Sequence, residues 1–441
     1  MNDMTKGNIV RQLVVFAVPV FIGNVFQCFY NVVDAVVVGQ FLGVEALAAV
    51  GALGSLMFLI TGVMLGFANG FGISISQAFG AKDSQKLRHY VAMSCVLCIS
   101  IVISFMTVCL VANEKILELL NIQEDIYYLA KNYISIIYMG LPAIMLYNIL
   151  AAIARGMGDS RTPLYFLVLS SVLNIILDIA FVGYLRIGVE GAALATVISQ
   201  GVAGGICFVY VAKKYKEIHF TKADVKINIG TCKTLLSLGM PMALQYTIIA
   251  MGGLTVQATL NQLGSIYIAA ISTSSKIETL LCQGYMAIGV ALANFTGQNY
   301  GARQIARVKS GVKYAVIMGS IIVVIIMIIT YFFASEFIVI FVDNPSQEMK
   351  ELVRQVFHIY LWFYPCHAVL NILCNAFQGV GKGVVSMYSG IAELLARFIA
   401  AVFIFPHLGF VAICLAGPLA WLFAFLLLVP YWVTYQKKLV C

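Results

Sequence analysis

Apolar and polar positions in this chain alternate on the scale of whole helices. Runs of about 20 mostly apolar residues, enough to cross the hydrocarbon core of a bilayer, recur along nearly its full length and are broken by short polar stretches. Twelve such runs can be drawn. Six lie near 13–37, 46–74, 90–112, 127–153, 163–185 and 190–212, and six near 235–260, 266–294, 312–334, 353–377, 385–406 and 409–434. The pattern predicts an all-α integral membrane protein of twelve transmembrane helices. The run from Leu13 is long and lacks a small-residue cleavage site, so it reads as a span rather than a signal peptide.

The polar stretches differ in charge. With both termini placed inside, 20 Lys and Arg residues fall on the inner side, six of them in the loop near 213–234. Five fall outside (Lys115, Lys131, Arg186, Lys350 and Arg354), and Lys276 and Arg397 lie within spans. This is the asymmetry that orients membrane helices. The long loop divides the sequence into an N-lobe of six spans (1–212), a cytoplasmic linker (213–234) and a C-lobe of six spans (235–441).

Composition narrows the class further. Of 441 residues, 61% are hydrophobic and 10% charged, with a mean hydropathy of +0.96. That excludes an ordinary soluble enzyme, a disordered chain and a collagen-like one. The net charge of +8 is accounted for by topology, so no nucleic-acid partner is expected. The eleven cysteines are odd in number and scattered through apolar runs. The one CxxC, Cys95 and Cys98, sits inside such a run and reads as two small hydrophobes.

The two halves repeat. At an offset of 221 residues Gly43 matches Gly264, and Gln77, Gly80 and Ala81 match Gln298, Gly301 and Ala302. At 222, Pro19 matches Pro241 and Gln40 matches Gln262. At 223, Pro142 matches Pro365, Asn148-Ile149-Leu150 matches Asn371-Ile372-Leu373, and Gly156 and Gly158 match Gly379 and Gly381. An even number of spans per half makes the repeats parallel, the plan of transporters that bind substrate between their halves. The expected architecture is thus two parallel six-helix bundles around a central cleft.

Polar side chains within spans are costly, about 2.5–3.5 kcal/mol for a charge at a helix centre, and each needs a reason. In the first span Gln27, Tyr30, Asn31 and Asp34 recur at helical spacing and share a face. In the fifth, Asn174 and Asp178 are four apart, and the sixth contributes Thr196. Two carboxyl groups shielded from water can load and release a proton, and with amide and hydroxyl oxygens they also suit a hard cation such as Na⁺. Asp34, Asn174, Asp178 and Thr196 are therefore the candidate ion-coupling residues, with Na⁺ at Asp34, Asn174 and Asp178 as the metal-ion alternative to a proton. The carboxylates are not duplicated: Asp34 falls on Val256 at 222 or Thr255 at 221, and at 223 Asn174 and Asp178 fall on Arg397 and Ala401.

Other candidates are less specific. Gln27, Tyr30, Asn31, Gln245, Tyr246, Glu278, Asn371 and Asn375 are candidate substrate-cleft residues, although helix–helix hydrogen bonding is the competing reading of the second-half amides. Glu393 and Arg397, four apart, read as an ion pair within a helix. His358 and His367, nine apart, have no metal-ligand spacing. With no nucleophile–base pair or metal cluster visible, no enzyme activity is expected, and no cofactor beyond a coupling ion.

These residues resemble the multidrug and toxic compound extrusion family over essentially the whole chain. The likeness rests on Asn31-Val32-Val33-Asp34 with Val38-Gly39-Gln40, on Gln77 with Gly80-Ala81 and its repeat Gln298-Asn299-Tyr300-Gly301-Ala302, and on Arg155-Gly156-Met157-Gly158-Asp159. Asn174-Ile175-Ile176-Leu177-Asp178 is similar to the DNA-damage-inducible-F-like branch. The resemblance implies export of organic, often cationic or aromatic, compounds in exchange for H⁺ or Na⁺ by alternating access. It implies an ion site at Asp34, Asn174, Asp178 and Thr196, and a hinge at Pro19. It places the protein in the plasma (inner) membrane of a prokaryote, multi-pass and with both termini cytoplasmic. Small organic molecules and the lipid bilayer are the expected partners, and a monomer the expected state. The alternative is a flippase for a lipid-linked precursor, from the same wider superfamily.

Overall fold

The computed structural model describes residues 3–120, 122–220, 224–334, 336–340 and 345–439. Part of the linker, residues 221–223, therefore lies outside the described residues. Among the described residues the chain is helical throughout, with no strand.

The helices of the first half are α1 (Ile9–Leu42), α2 (Val44–Ala52), α3 (Gly54–Gly80), α4 (Ser84–Leu119), α5 (Glu124–Gly156), α6 (Arg161–Asp178) and α7 (Val189–Lys214). Those of the second are α8 (Ile229–Leu260), α9 (Ser265–Gly301), α10 (Ile305–Phe333), α11 (Gln347–Leu361), α12 (Tyr364–Gly379), α13 (Gly383–Ile399), α14 (Phe405–Leu408) and α15 (Phe410–Lys438). Among the described residues, eleven helical stretches are long and apolar enough to span a membrane; the bent pair α11–α12, with an angle of 57°, makes a twelfth if taken as one span. The twelve expected spans are thus found, with two differences. The second breaks at Leu53 into α2 and α3. The tenth turns sharply before Pro365, which sits in the first turn of α12, where a missing N–H costs nothing.

The repeat is visible in the backbone. Gly43 (φ 86°) and Gly264 (φ 103°), Gly158 (81°) and Gly381 (84°), and Gly188 (90°) and Gly409 (52°) all take left-handed conformations at matching places. So do Lys82 (56°) and Arg303 (58°), which lack glycine's freedom there. Among the described residues each half also has one π-helical segment, Ile179–Tyr184 after α6 and Ala400–Ile404 after α13.

The chain packs as two compact units, residues 1–3 with 22–243 and residues 4–21 with 244–441. Both divisions fall two residues after a proline inside a helix, Pro19 in α1 and Pro241 in α8. Packing thus assigns 4–21 and 229–243 differently from a cut at the polar linker. In the first unit Gly66 and Gly70 of α3 let the backbone of α8 approach closely. A Cβ on Gly66 would lie 2.5 Å from the Ala243 backbone, and one on Gly70 2.5 Å from that of Gly239. His89 holds the chain ahead of α8, with Nδ1 2.9 Å from the Asp224 carbonyl and Nε2 3.1 Å from the Thr231 hydroxyl. In the second unit Arg307 and Asn299 hold the chain ahead of α1: Arg307 donates to the Gly7 and Met4 carbonyls, and Asn299 to that of Met4.

Asp159 ties the start of α6 to the end of α7 in the first unit. Its carboxylate accepts from Arg161 N and Thr162 N, both at 3.0 Å, and so caps α6. It also accepts from the Thr162 hydroxyl at 2.7 Å, and from Lys214 Nζ and Tyr215 Oη at 2.6 Å each. Burial alone would push its pKa up. The bonds from Lys214, Tyr215 and Thr162 outweigh that and hold the carboxyl well below its usual range.

Candidate ion site

The first-unit site is assembled by three helices. Tyr30 and Asp34 project from one face of α1, being four residues apart. α6 contributes Asn174 and Asp178, and Asp178 is its last α-helical residue before the π segment begins. π segments widen a helix by a residue and occur often at functional sites. α7 contributes Thr196. Asp178 and Asn174 are 0% and 1% exposed, and Thr196 is 7% exposed.

The carboxyl groups of Asp34 and Asp178 meet at hydrogen-bond range. Oriented to suit its neighbours, the Asn174 amide donates from Nδ2 to Asp178 Oδ2 at 3.0 Å and accepts from Thr196 N at 3.3 Å. The Tyr30 phenol lies near the Thr196 side chain. One oxygen of each carboxylate, Oδ1 of Asp34 and Oδ1 of Asp178, is buried without a hydrogen-bond partner among the described residues. Neither aspartate has a Lys, Arg or His ion-pair partner among those residues. Two facing acid groups with unpaired oxygens and no neutralising cation can be bridged by one proton or one small cation. The donor set of carboxylate, hydroxyl and amide oxygens suits either.

All four residues expected at the ion site are therefore brought together, with Tyr30 beside them. Asn31 is exposed and Gln27 half-buried on α1. Sequence reasoning missed Tyr133 of α5, buried within electrostatic reach of Asp34, Tyr30 and Asp178. Nothing in the pattern of α5 distinguishes that tyrosine from its neighbours.

The second-unit candidates behave differently. Asn371 and Asn375 pack on Gly289 of α9, where a Cβ would lie 2.4 Å from Asn371 Oδ1. Asn375 donates to the Asn371 carbonyl at 2.9 Å. Gln245 receives a bond from Gln378 at 3.4 Å and faces the Cys374 sulfur at 3.9 Å. These amides knit helices together, and Tyr246 lies half-buried on α8 near them in sequence. Glu393 and Arg397 form the expected pair at 3.4 Å, and Arg397 also donates to the Ile249 carbonyl at 3.3 Å. Glu278 stands apart from the amides, on α9 beside Cys282 and His367.

Comparison with known proteins places the chain. A family model described as MatE matches residues 19–180 and again 241–403, one block in each half. The chain belongs to this family, the multidrug and toxic compound extrusion transporters that its motifs resemble. It is 26% identical over 444 residues to the "Probable multidrug resistance protein YoeA" of Bacillus subtilis (strain 168), covering 98% of this chain and 96% of the relative. It is 30% identical over 306 residues to the "Probable multidrug resistance protein YpnP" of the same organism, covering 69% and 68%. A crystal structure of MATE in complex with MaL6 shares the fold with a TM-score of 0.92 at 23% identity, covering 99% of this chain and 98% of that one.

Proposed function

We propose that this protein is a cation-coupled multidrug exporter, which expels organic, often cationic or aromatic, compounds in exchange for H⁺ or Na⁺. Family membership supports the transport class, and the names of YoeA and YpnP support the multidrug reading. The observation that carries the coupling is the facing pair Asp34 and Asp178, each with a buried, unpartnered oxygen. Loading the pair with one cation cancels charge that is expensive in a lipid-shielded setting. The loaded and empty forms then favour different conformations, since a ligand shifts an equilibrium only by its differential affinity for the two states. Asn174 positions Asp178, while Thr196 and Tyr30 complete the polar wall. Pro19 removes a backbone hydrogen bond within α1 and supplies the flexible point of that helix. Lys and Arg distribution supports a cytoplasmic-membrane location with both termini inside, and a monomer suffices, since both units come from one chain. The alternative of a lipid-linked precursor flippase is not favoured, because YoeA and YpnP are both named for multidrug resistance.

The test is transport in proteoliposomes. A fluorescent organic cation should move when ΔpH or ΔNa⁺ is imposed, and the gradient that works identifies the ion. Asp34→Asn and Asp178→Asn should each abolish gradient-driven movement in correctly inserted protein. Normal transport by both variants would remove this site from the mechanism.

A further inference from the structure

The second unit holds a chemically different cluster that the coupling mechanism leaves unused. Glu278, Cys282 and Tyr285 follow one another on α9 at spacings of four and three and so share a face. α12 lays His367 against that face. A carboxylate oxygen of Glu278, the sulfur of Cys282 and a ring nitrogen of His367 all lie within 4.8 Å of one another. In a tetrahedral shell with bonds of about 2.0–2.3 Å, neighbouring ligand atoms are about 3.3–3.8 Å apart. Small side-chain rotations would bring these three atoms to that spacing.

Their surroundings hold them ready. Tyr285 Oη lies 2.8 Å from His367 Nδ1, and Tyr285 stands one turn along α9 from Cys282. Trp421 stacks on the imidazole at 4.3 Å with the rings 4° from parallel. This is the outer support by which metal ligands are oriented. Cys282 is 2% exposed, whereas Glu278 and His367 are only half-buried and leave a way in. The nearby Arg397 is already engaged by Glu393 and by the Ile249 carbonyl.

We propose that Glu278, Cys282 and His367 form a three-ligand site for a borderline-soft divalent transition-metal ion, with zinc as the type, and with a fourth position open to water. Thiolate and imidazole donors select such ions over Na⁺ or Mg²⁺. Binding expels the Cys282 proton to solvent. One carboxylate and one thiolate then neutralise the divalent charge, with neutral imidazole as the third ligand, so the loaded site carries no net charge.

Cobalt is the probe. Added to the tag-free, full-length protein in detergent, Co²⁺ should give a thiolate-to-metal charge-transfer band that Zn²⁺ displaces. Cys282→Ser and Cys282→Ala should both lose the band. His367→Gln and Glu278→Gln should weaken binding at least tenfold, and Tyr285→Phe, which keeps the ring but not the hydroxyl, by about 10–100-fold. Zn²⁺ should raise the melting temperature of the wild type but not of His367→Gln. Asp178→Asn should bind as the wild type does, which separates this site from the coupling site. No band in the wild type, or a band that survives in both Cys282 variants, overturns the proposal.

Discussion

α6 and α13 occupy matching places in the two halves, and each passes at its end into a π-helical segment. In the first unit the last α-helical residue before that change is Asp178, facing Asp34. In the second the matching segment opens on Ala400 and Ala401, and the nearby charges, Glu393 and Arg397, already satisfy each other. Asp159, which caps α6, is replaced by Lys382 ahead of α13, where no side chain caps the helix. The backbone has been copied and the acid groups have not. A π segment therefore does not make an ion site. The proposed ion site needs the unpaired carboxylates as well, and among the described residues it is the first unit that places two of them face to face.

Mutations that treat the two units unequally test that contrast. The largest effect belongs to Asp34→Asn and Asp178→Asn. The charge lever they remove is about 2.5–3.5 kcal/mol, on the order of a hundredfold in an equilibrium, so gradient-driven efflux should fall to background. In Glu393→Gln the ion dependence of efflux should stay and only thermal stability should drop. Loss of ion dependence in that variant, with retention in Asp178→Asn, would reverse the comparison.

Next is Asp159→Ala, which strips the α6 cap and leaves Tyr215 and the partly exposed Lys214 without their acceptor. About 2–3 kcal/mol of stability should be lost, read as a fall in melting temperature in detergent. Lys382→Ala should stay within about 0.5 kcal/mol, as surface changes usually do. The Asp159 contribution also has a pH signature. Its folded pKa lies below the unfolded one, so the stabilisation is complete above the unfolded value of about 4 and is lost as pH falls below it. Wild type and Asp159→Ala should therefore converge in acid. A constant gap down to the lowest pH tolerated would show that the cap is not working through its charge.

Smaller again is Gly70→Ala. Its Cβ would press on the Gly239 backbone, and overpacking of this kind costs about 1–3 kcal/mol. Unchanged stability would mean that α8 gives way there. The smallest change is a gain: Lys82→Gly and Arg303→Gly each relieve a left-handed backbone residue, for about 0.5–1 kcal/mol. Equal gains at the two sites would show that the copied backbone is also energetically equivalent.

Much of this was readable before any coordinates. Hydropathy located the twelve spans because lipid leaves the backbone few alternatives to a helix. Asp34, Asn174, Asp178 and Thr196 stood out because polar groups in apolar runs are expensive. The rest depended on three-dimensional packing. The break at Leu53 is flanked by Gly51 and by Gly54-Ser55, but glycines recur through the spans of this chain, so these do not mark a break without the packing around them. Tyr133 is an ordinary aromatic position until α5 turns it toward the acids. His367 was compared only with His358 on its own helical stretch, whereas its neighbours Cys282 and Tyr285 belong to α9. Periodicity reports which residues share a face of one helix, and says nothing of which face of another helix will meet it.

The seating of α8 on Gly66 and Gly70 bears on how the molecule is made. Residues 229–243 belong to the first unit's packing, yet they leave the ribosome after all the spans of the first half. Until they arrive, two glycines on α3 face nothing that fits them, and the earlier helices must wait in the bilayer with that seam open. Biogenesis of the first unit therefore cannot finish at the polar loop, and a fragment ending there would lack the piece that closes it.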